Sequence, residues 1–199
     1  MTVCGGPEGL APGAGAMWVA CRTSASVGRI DPGTNAMTTT VSVGQEPRAV
    51  LVAGGWLWVA NSAGGSVSKV DPATLQVIAT TPTGIGPSAL NSFAGDVWVS
   101  VAGDESVRRI DPGTAQVVAA VRVGAVPGGL LPVAGAMWVA GDVGPSLIRI
   151  DPVTDAVTAS FPVADQEPAP SGQSLALGDG ALWTPIYLEQ SVVKVAIPV

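Results

Sequence analysis

A chain of 199 residues, 47% of them hydrophobic and 12% charged, is long enough to bury a sizeable core and too apolar to stay disordered. The net charge of −6, with Lys69 and Lys194 the only lysines, excludes the clustered basic surface that a nucleic-acid backbone requires. No run of about 18 apolar residues lacks a Gly, Pro or polar break, so no membrane span is expected, and MTVCGGPEGL has neither the basic nor the apolar region of a signal peptide.

At the start of the chain, Thr2-Val3-Cys4 aligns with Ser42-Val43-Gly44 and reads as the end of an edge strand, so the first complete unit begins near Pro7. Cys4 and Cys21 are the only cysteines, and with no histidine they cannot complete a zinc site. They are either two free thiols or one disulfide. A hairpin turning near Ala14 puts position 7 opposite position 21 and Cys4 a few residues beyond Cys21 on the same face, a geometry compatible with a bond. Such a bond favours an oxidising, extracytoplasmic compartment.

From Gly15 onward a pattern returns every 40 residues. Its landmarks are Gly15, Trp18, Ser26, Ile30 and Asp31-Pro32; Gly55, Trp58, Ser66, Val70 and Asp71-Pro72; Gly95, Trp98, Ser106, Ile110 and Asp111-Pro112; and Gly135, Trp138, Ser146, Ile150 and Asp151-Pro152. A fifth copy carries Gly180, Trp183, Ser191 and Val195, with Ala196 in place of Asp. A period of this size implies one supersecondary unit per repeat, stacked so that neighbours bury each other's apolar faces.

Within the second unit four strands are predicted. Pro47 to Val52 is followed by a turn at Ala53-Gly54-Gly55. Trp56 to Ala60, apolar on both sides, reads as a strand covered on both faces. Polar Asn61 to Gly65 makes a loop, and Ser66 to Val70 is the third strand. The Asp-Pro tetrapeptides suit type I turns, in which the carboxylate accepts from backbone N–H groups two and three residues on; that role accounts for the Asp column without catalysis. In the last segment, Gln116 to Gly124, the residues Val117, Ala119, Val121 and Val123 share one face. Pro82 and Pro162 in the equivalent segments place it at a sheet edge, since proline has no ladder donor.

Inner, doubly buried, third and edge strands in that order describe a blade of an antiparallel propeller. The chain is therefore expected to be all-β, a β-propeller of five four-stranded antiparallel blades, forming one domain over 1–199 with units at about 5–44, 45–84, 85–124, 125–166 and 167–199. Small residues at one register of the inner strand, Gly9, Ala49, Ala89, Gly129 and Ser174, suit blades converging on an axis. The tryptophans at one register of the second strand fill the wedge between blades, and Trp56 is expected to be partly exposed. Either Met1 to Val3 supplies the fourth strand of the fifth blade and closes a five-bladed ring, or the chain is an open segment of a larger ring. An open ring leaves edges that invite self-association.

The units WVANSAGGSVSKVDPATLQVIATTPTG and WVSVAGDESVRRIDPGTAQVVAAVRVG resemble YVTN-type propeller repeats, and their Gly-x-x-Trp-Val core is similar to that of the streptogramin B lyase (virginiamycin B lyase) propellers. The resemblance implies a propeller fold. It also implies, for the lyases, seven blades and a site of histidine, acidic residues and magnesium. With five repeats and no histidine this chain lacks the matching base, so the lyase reading stands as the alternative.

The leading expectation is a non-catalytic binding or scaffold domain, without cofactor or metal, that presents a loop face and a channel mouth to a small ligand or a partner protein. The channel-mouth candidates are Glu8, Arg48, Ser88, Gly128 and Gln173, which fall at one register where the inner strands begin. A hydrated lining holding one Glu–Arg pair is the plainer account of them. The loop-face candidates come from the least repetitive segments: Arg22, Asn61, Asp104, Glu105, Asp142, Tyr187 and Glu189. With the insertion at 165–170 several of these make the face acidic, although no spacing matches a known cation loop. A purely structural array is the third reading.

Overall fold

Every unit reverses first at a pair of residues chosen for it by backbone geometry. The turns Ala14-Gly15, Gly54-Gly55, Ala94-Gly95, Ala134-Gly135 and Asp179-Gly180 hold both residues at positive φ, between 48° and 90°. This is the type I′ reversal, whose twist matches that of the strands it joins, and it explains a glycine at the second position of every copy. The computed structural model describes residues 3–143, 146–162, 174–186 and 190–197.

In the first blade β1 (Pro7–Gly13), β2 (Ala16–Cys21), β3 (Ser26–Asp31) and β4 (Ala36–Ser42) pair in sequence order. The second contains β5 (Pro47–Ala53), β6 (Trp56–Asn61), β7 (Ser66–Asp71) and β8 (Gln76–Pro82). The third contains β9 (Pro87–Phe93), β10 (Asp96–Val101), β11 (Ser106–Asp111) and β12 (Gln116–Arg122). The fourth contains β13 (Val126–Val133), β14 (Ala136–Val143), β15 (Ser146–Asp151) and β16 (Ala156–Pro162). In the fifth, β17 (Ala176–Gly178), β18 (Ala181–Ile186) and β19 (Ser191–Ala196) make three antiparallel strands among the described residues. The expected all-β propeller of antiparallel blades is what the chain forms.

The reversal between third and fourth strands is built on aspartate. Asp31 Oδ1 accepts from the N–H groups of Gly33 and Thr34 at 2.7 and 3.0 Å, and Asp111 Oδ1 from Gly113 and Thr114 at 2.8 and 2.7 Å. Asp71 and Asp151 do the same. The next residue, Asn35, Leu75, Ala115 or Asp155, is left-handed, and its N–H closes the turn on the Asp carbonyl at 2.8 to 3.0 Å. The closing bond therefore falls one residue beyond that of a four-residue turn.

Blades pack face to face through the tryptophan column. Trp18, Trp58, Trp98 and Trp138 are fully buried. Trp18, Ala20 and Val27 meet Val50, Leu57, Val59 and Val70 of the next blade. Trp58 and Val67 meet Val97, Val99 and Ile110, while Trp98 and Val107 meet Leu130, Met137, Val139 and Ile150. Trp138 and Leu147 meet Leu182 and Val195. Four of the indole N–H groups donate to the carbonyl that opens the type I′ turn: Trp18 to Gly13, Trp58 to Ala53, Trp98 to Phe93 and Trp183 to Gly178, at 2.9 to 3.3 Å. Trp138 stacks on Phe161 instead, with ring centroids 5.7 Å apart. Trp56 is partly buried beneath the Lys69 ammonium, 4.0 Å from its ring centroid.

Cations add a second tie between blades. Lys69 Nζ donates to the Pro112 carbonyl and Arg109 Nη1 to the Pro152 carbonyl, each at 2.7 Å and each in the Asp-Pro turn of the following blade. Towards the axis the inner strands lie side by side. A Cβ on Gly9 would sit 2.5 Å from the Arg48 carbonyl oxygen and 2.9 Å from Ala49 Cα, so glycine is required there by close approach.

The two end faces differ from these interiors. Leu10 on β1 is 60% exposed, whereas Val50 and Leu130 at the same register are 8%. Val192 on β19 is 63% exposed, whereas Val27, Val67, Val107 and Leu147 are 0%. The first and fifth blades thus do not cover one another as interior neighbours do. Val3 packs with Cys4 on Val19, Cys21 and Ile30 of its own blade and does not extend β19, so among the described residues the closing strand expected from the N-terminal segment is not formed. Met1 and Thr2 lie outside them.

Candidate functional site at the crossover face

In the first three blades the loop after the second strand and the crossover into that strand's blade are strapped together by main-chain bonds. Arg22 N and Thr23 N donate to the carbonyls of Gly6 and Gly5 at 2.9 and 3.2 Å. Ser62 N and Gly64 N donate to Glu46 and Gln45, and Ala102 N and Gly103 N to Gly86 and Ile85. Loop and crossover therefore share one face and hold each other in place, which gives side chains there a fixed platform.

Three of the channel-mouth residues meet. Arg48 on β5, Ser88 on β9 and Gly128 on β13 line one cavity of about 250 Å³, with Ser62 and Ala102 on its rim. Glu8 on β1 stands to one side, its carboxylate 3.6 Å from Arg48 Nε and 3.4 Å from Arg22 Nη1. Arg22 also grips Glu46 Oε2 through Nη2 at 3.0 Å and Nε at 3.3 Å. The Glu46 hydrogen bond and charge, helped by Glu8, raise the Arg22 guanidinium above its ordinary value. Glu8, Arg22, Thr23, Gln45 and Glu46 line a second, wider recess of about 580 Å³. Charge thus alternates Arg48, Glu8, Arg22, Glu46 across two adjoining recesses. Gln173 lies outside the described residues.

Glu46, which lines the wider recess, is absent from the sequence-derived candidates. It is left-handed (φ 49°) where the equivalent residues Gly6 (61°) and Gly86 (73°) are glycine. That conformation is one Glu46 shares with other non-glycine turn residues of the fold, such as Ala25 and Glu105, and it is held at the cost of some strain.

The loop-face candidates divide. Arg22 lines the wider recess. Asn61 does not sit on the loop face: it ends β6, is fully buried, and its Nδ2 donates to Ser66 Oγ at 3.2 Å and Ser68 Oγ at 2.9 Å. Its amide nitrogen bridges two buried hydroxyls, while its Oδ1 is buried without a partner among the described residues. Asp104 accepts from Ser106 Oγ at 2.6 Å and pairs with Arg108. Desolvation pushes its carboxyl up, but those two bonds outweigh it and the net direction is down. Glu105 is exposed and left-handed (φ 53°). The side chain of Asp142, and Tyr187, Glu189 and the insertion at 165–170, lie outside the described residues. Among the described residues no three His, Cys, Asp or Glu come together as a metal site, and no helix is long and apolar enough to cross a membrane. Cys4 and Cys21 are joined as a disulfide, with Cα atoms 5.5 Å apart, and the bond pins the crossover that carries Gly5, Gly6 and Glu8 to the end of β2.

No known protein-family model matches the chain, and no curated protein sequence matches it. Among solved structures it is similar to hydrazine synthase of Kuenenia stuttgartiensis, with a TM-score of 0.75 and 18% identity over 98% of this chain and 67% of that one. It is also similar to the dihydro-heme d1 dehydrogenase NirN, with a TM-score of 0.67 and 14% identity over 81% of this chain and 39% of that one. Both are β-propeller proteins, and likeness at such identities shows the shared fold. What the comparisons establish is the β-propeller scaffold.

Proposed function

We propose that this β-propeller is a non-catalytic binding module whose crossover face takes a small polar ligand of mixed charge, or the equivalent side chains of a partner protein. The observation that supports the reading is the alternating row Arg48, Glu8, Arg22, Glu46 spread over two adjoining recesses. Arg48 beside Ser88 suits an anionic group, since a guanidinium presents forked donors to a carboxylate. Glu8 and Glu46 suit a cationic group a short distance away. Preformed main-chain straps lower the ordering cost of binding, which favours affinity in so open a site.

Thermal unfolding in the presence of millimolar amino acids, simple carboxylates and simple amines tests this. An occupant bound to the folded state alone stabilises it by about 2.7 kcal/mol at a hundred times Kd. At least one zwitterion is expected to raise the midpoint of the wild type, with the rise lost in Arg48→Ala and reduced in Glu46→Gly. A flat response from the wild type across all three classes would sink the reading for small ligands. A zwitterion that still stabilises Arg48→Ala would sink the site.

A further inference from the structure

Polarity on the crossover face falls away in one direction round the axis. The register at the head of the inner strands reads Glu8, Arg48, Ser88, Gly128 from the first blade to the fourth. Two residues before it, the crossover reads Glu46, Gly86, Val126 from the second blade to the fourth, and one residue earlier still Gln45, Ile85, Ala125. The loop register reads Arg22, Ser62, Ala102 over the first three blades; Asp142 continues it, and its side chain lies outside the described residues. All four registers lose their polar groups in step. A merely hydrated lining calls for no such common direction.

The smaller cavity straddles the change. Arg48, Ser62 and Ser88 line it on the polar side, and Ala102, Val126 and Pro127 on the apolar side. Ala102 and Val126 keep part of their surface in solvent, so they are not simply core. Ile85, next to Gly86 of the same lining, is 79% exposed, and its carbonyl accepts from Gly103 N at 2.9 Å, which holds that aliphatic residue beside the cavity on a fixed backbone. The carboxylate of the third loop, Asp104, is committed to Ser106 and Arg108. At about 250 Å³ the cavity is smaller than the roughly 300 to 1,000 Å³ of drug-sized sites, so what enters it is short.

We propose that the occupant of this face is an α-amino acid with an apolar side chain. Its ammonium and carboxylate lie over the charged first and second blades, and its aliphatic tail enters the cavity towards Ala102 and Val126. The proposal rests on the binding role given above and adds to that ligand the part that carries no charge. Burying the tail supplies affinity without a further charged partner, while the charged row fixes which end goes where.

Isothermal titration calorimetry with glycine, alanine, norvaline and norleucine tests it, because the charged head is the same throughout. Affinity is expected to rise about fourfold for each methylene added, the worth of removing it from water, until the cavity is full. Valine should bind more tightly than threonine, which has its shape and an added hydroxyl. Ala102→Asp places a charge where the tail would lie, so it should leave glycine nearly as in the wild type and abolish the gain along the series. Intrinsic tryptophan emission verifies folding, and Val126→Thr, which keeps the shape of the side chain, serves if Ala102→Asp fails that check. Equal affinity along the series overturns the inference and leaves the binding role standing. A series in which no member binds overturns it too, and the binding role then survives only if simple carboxylates or amines do bind. A slope unchanged in the folded variant also overturns it, since the tail would then lie elsewhere.

Discussion

In each of the first three blades one indole does two jobs: its ring fills the wedge to the next sheet and its N–H closes on the carbonyl beside the type I′ turn. The two roles separate by position. Trp58→Ala should cost about 3 to 5 kcal/mol, the range for emptying a large buried site, whereas Trp183→Ala should cost less than half of that because its ring is already partly in water. Urea midpoints measured side by side would show the order, and equal losses at the two positions would contradict the exposed rear face of the fifth blade. This column was legible from spacing alone, because a large aromatic recurring every 40 residues in an apolar run marks one fixed place in a stacked core. Asn61 was not: an asparagine after an apolar strand and before Ser-Ala-Gly-Gly reads as the first loop residue, and only the placement of Ser66 and Ser68 opposite it reveals a buried amide. The ion pair between Arg22 and Glu46 was not legible either, since Glu46 lies in a crossover whose conformation is apparent only once φ is known.

At the scale of the element, the aspartate turns make stability depend on acid. Backbone N–H groups from the residues two and three positions on hold the Asp31, Asp71, Asp111 and Asp151 carboxyls below their ordinary value. A carboxyl with a depressed folded-state value contributes stability above its unfolded value of about 3.9, and that contribution is lost as pH falls through the lower folded value. Urea midpoints should therefore be flat between pH 5 and 7 as far as these turns are concerned and drop below about pH 4. Replacing Asp71 by Asn keeps an oxygen acceptor that does not titrate, so the drop should shrink; an unchanged acid limb would remove these turns from the account. The turn and its acceptor pattern were readable from Asp-Pro-x-Thr, since proline presets one backbone angle and the carboxylate reaches only nearby donors. The left-handed fifth residue was not readable, because Asn, Leu, Ala and Asp occupy it and share no chemistry that announces it.

For the whole molecule, the Cys4–Cys21 bond closes a loop of 17 positions in the first blade, and a cross-link over such a span contributes about 3 kcal/mol by restricting the unfolded chain. Reduction should lower the urea midpoint by that order and speed hydrogen exchange at the Arg22 and Thr23 amides, which donate to Gly6 and Gly5. If both amides stay protected after reduction, the bond does not hold the crossover. Blade architecture was legible at this scale because a periodic sequence repeats its own pattern five times. The ligand was not, because the charged row joins residues of different blades through a face that no single repeat encodes. The likeness of the four interior joins has an evolutionary corollary. A slip in recombination that inserted or deleted one 40-residue stretch would present its product with a seam already solved elsewhere in the molecule. Blade number in such a lineage can drift by whole steps, and selection has only the curvature of the ring left to correct.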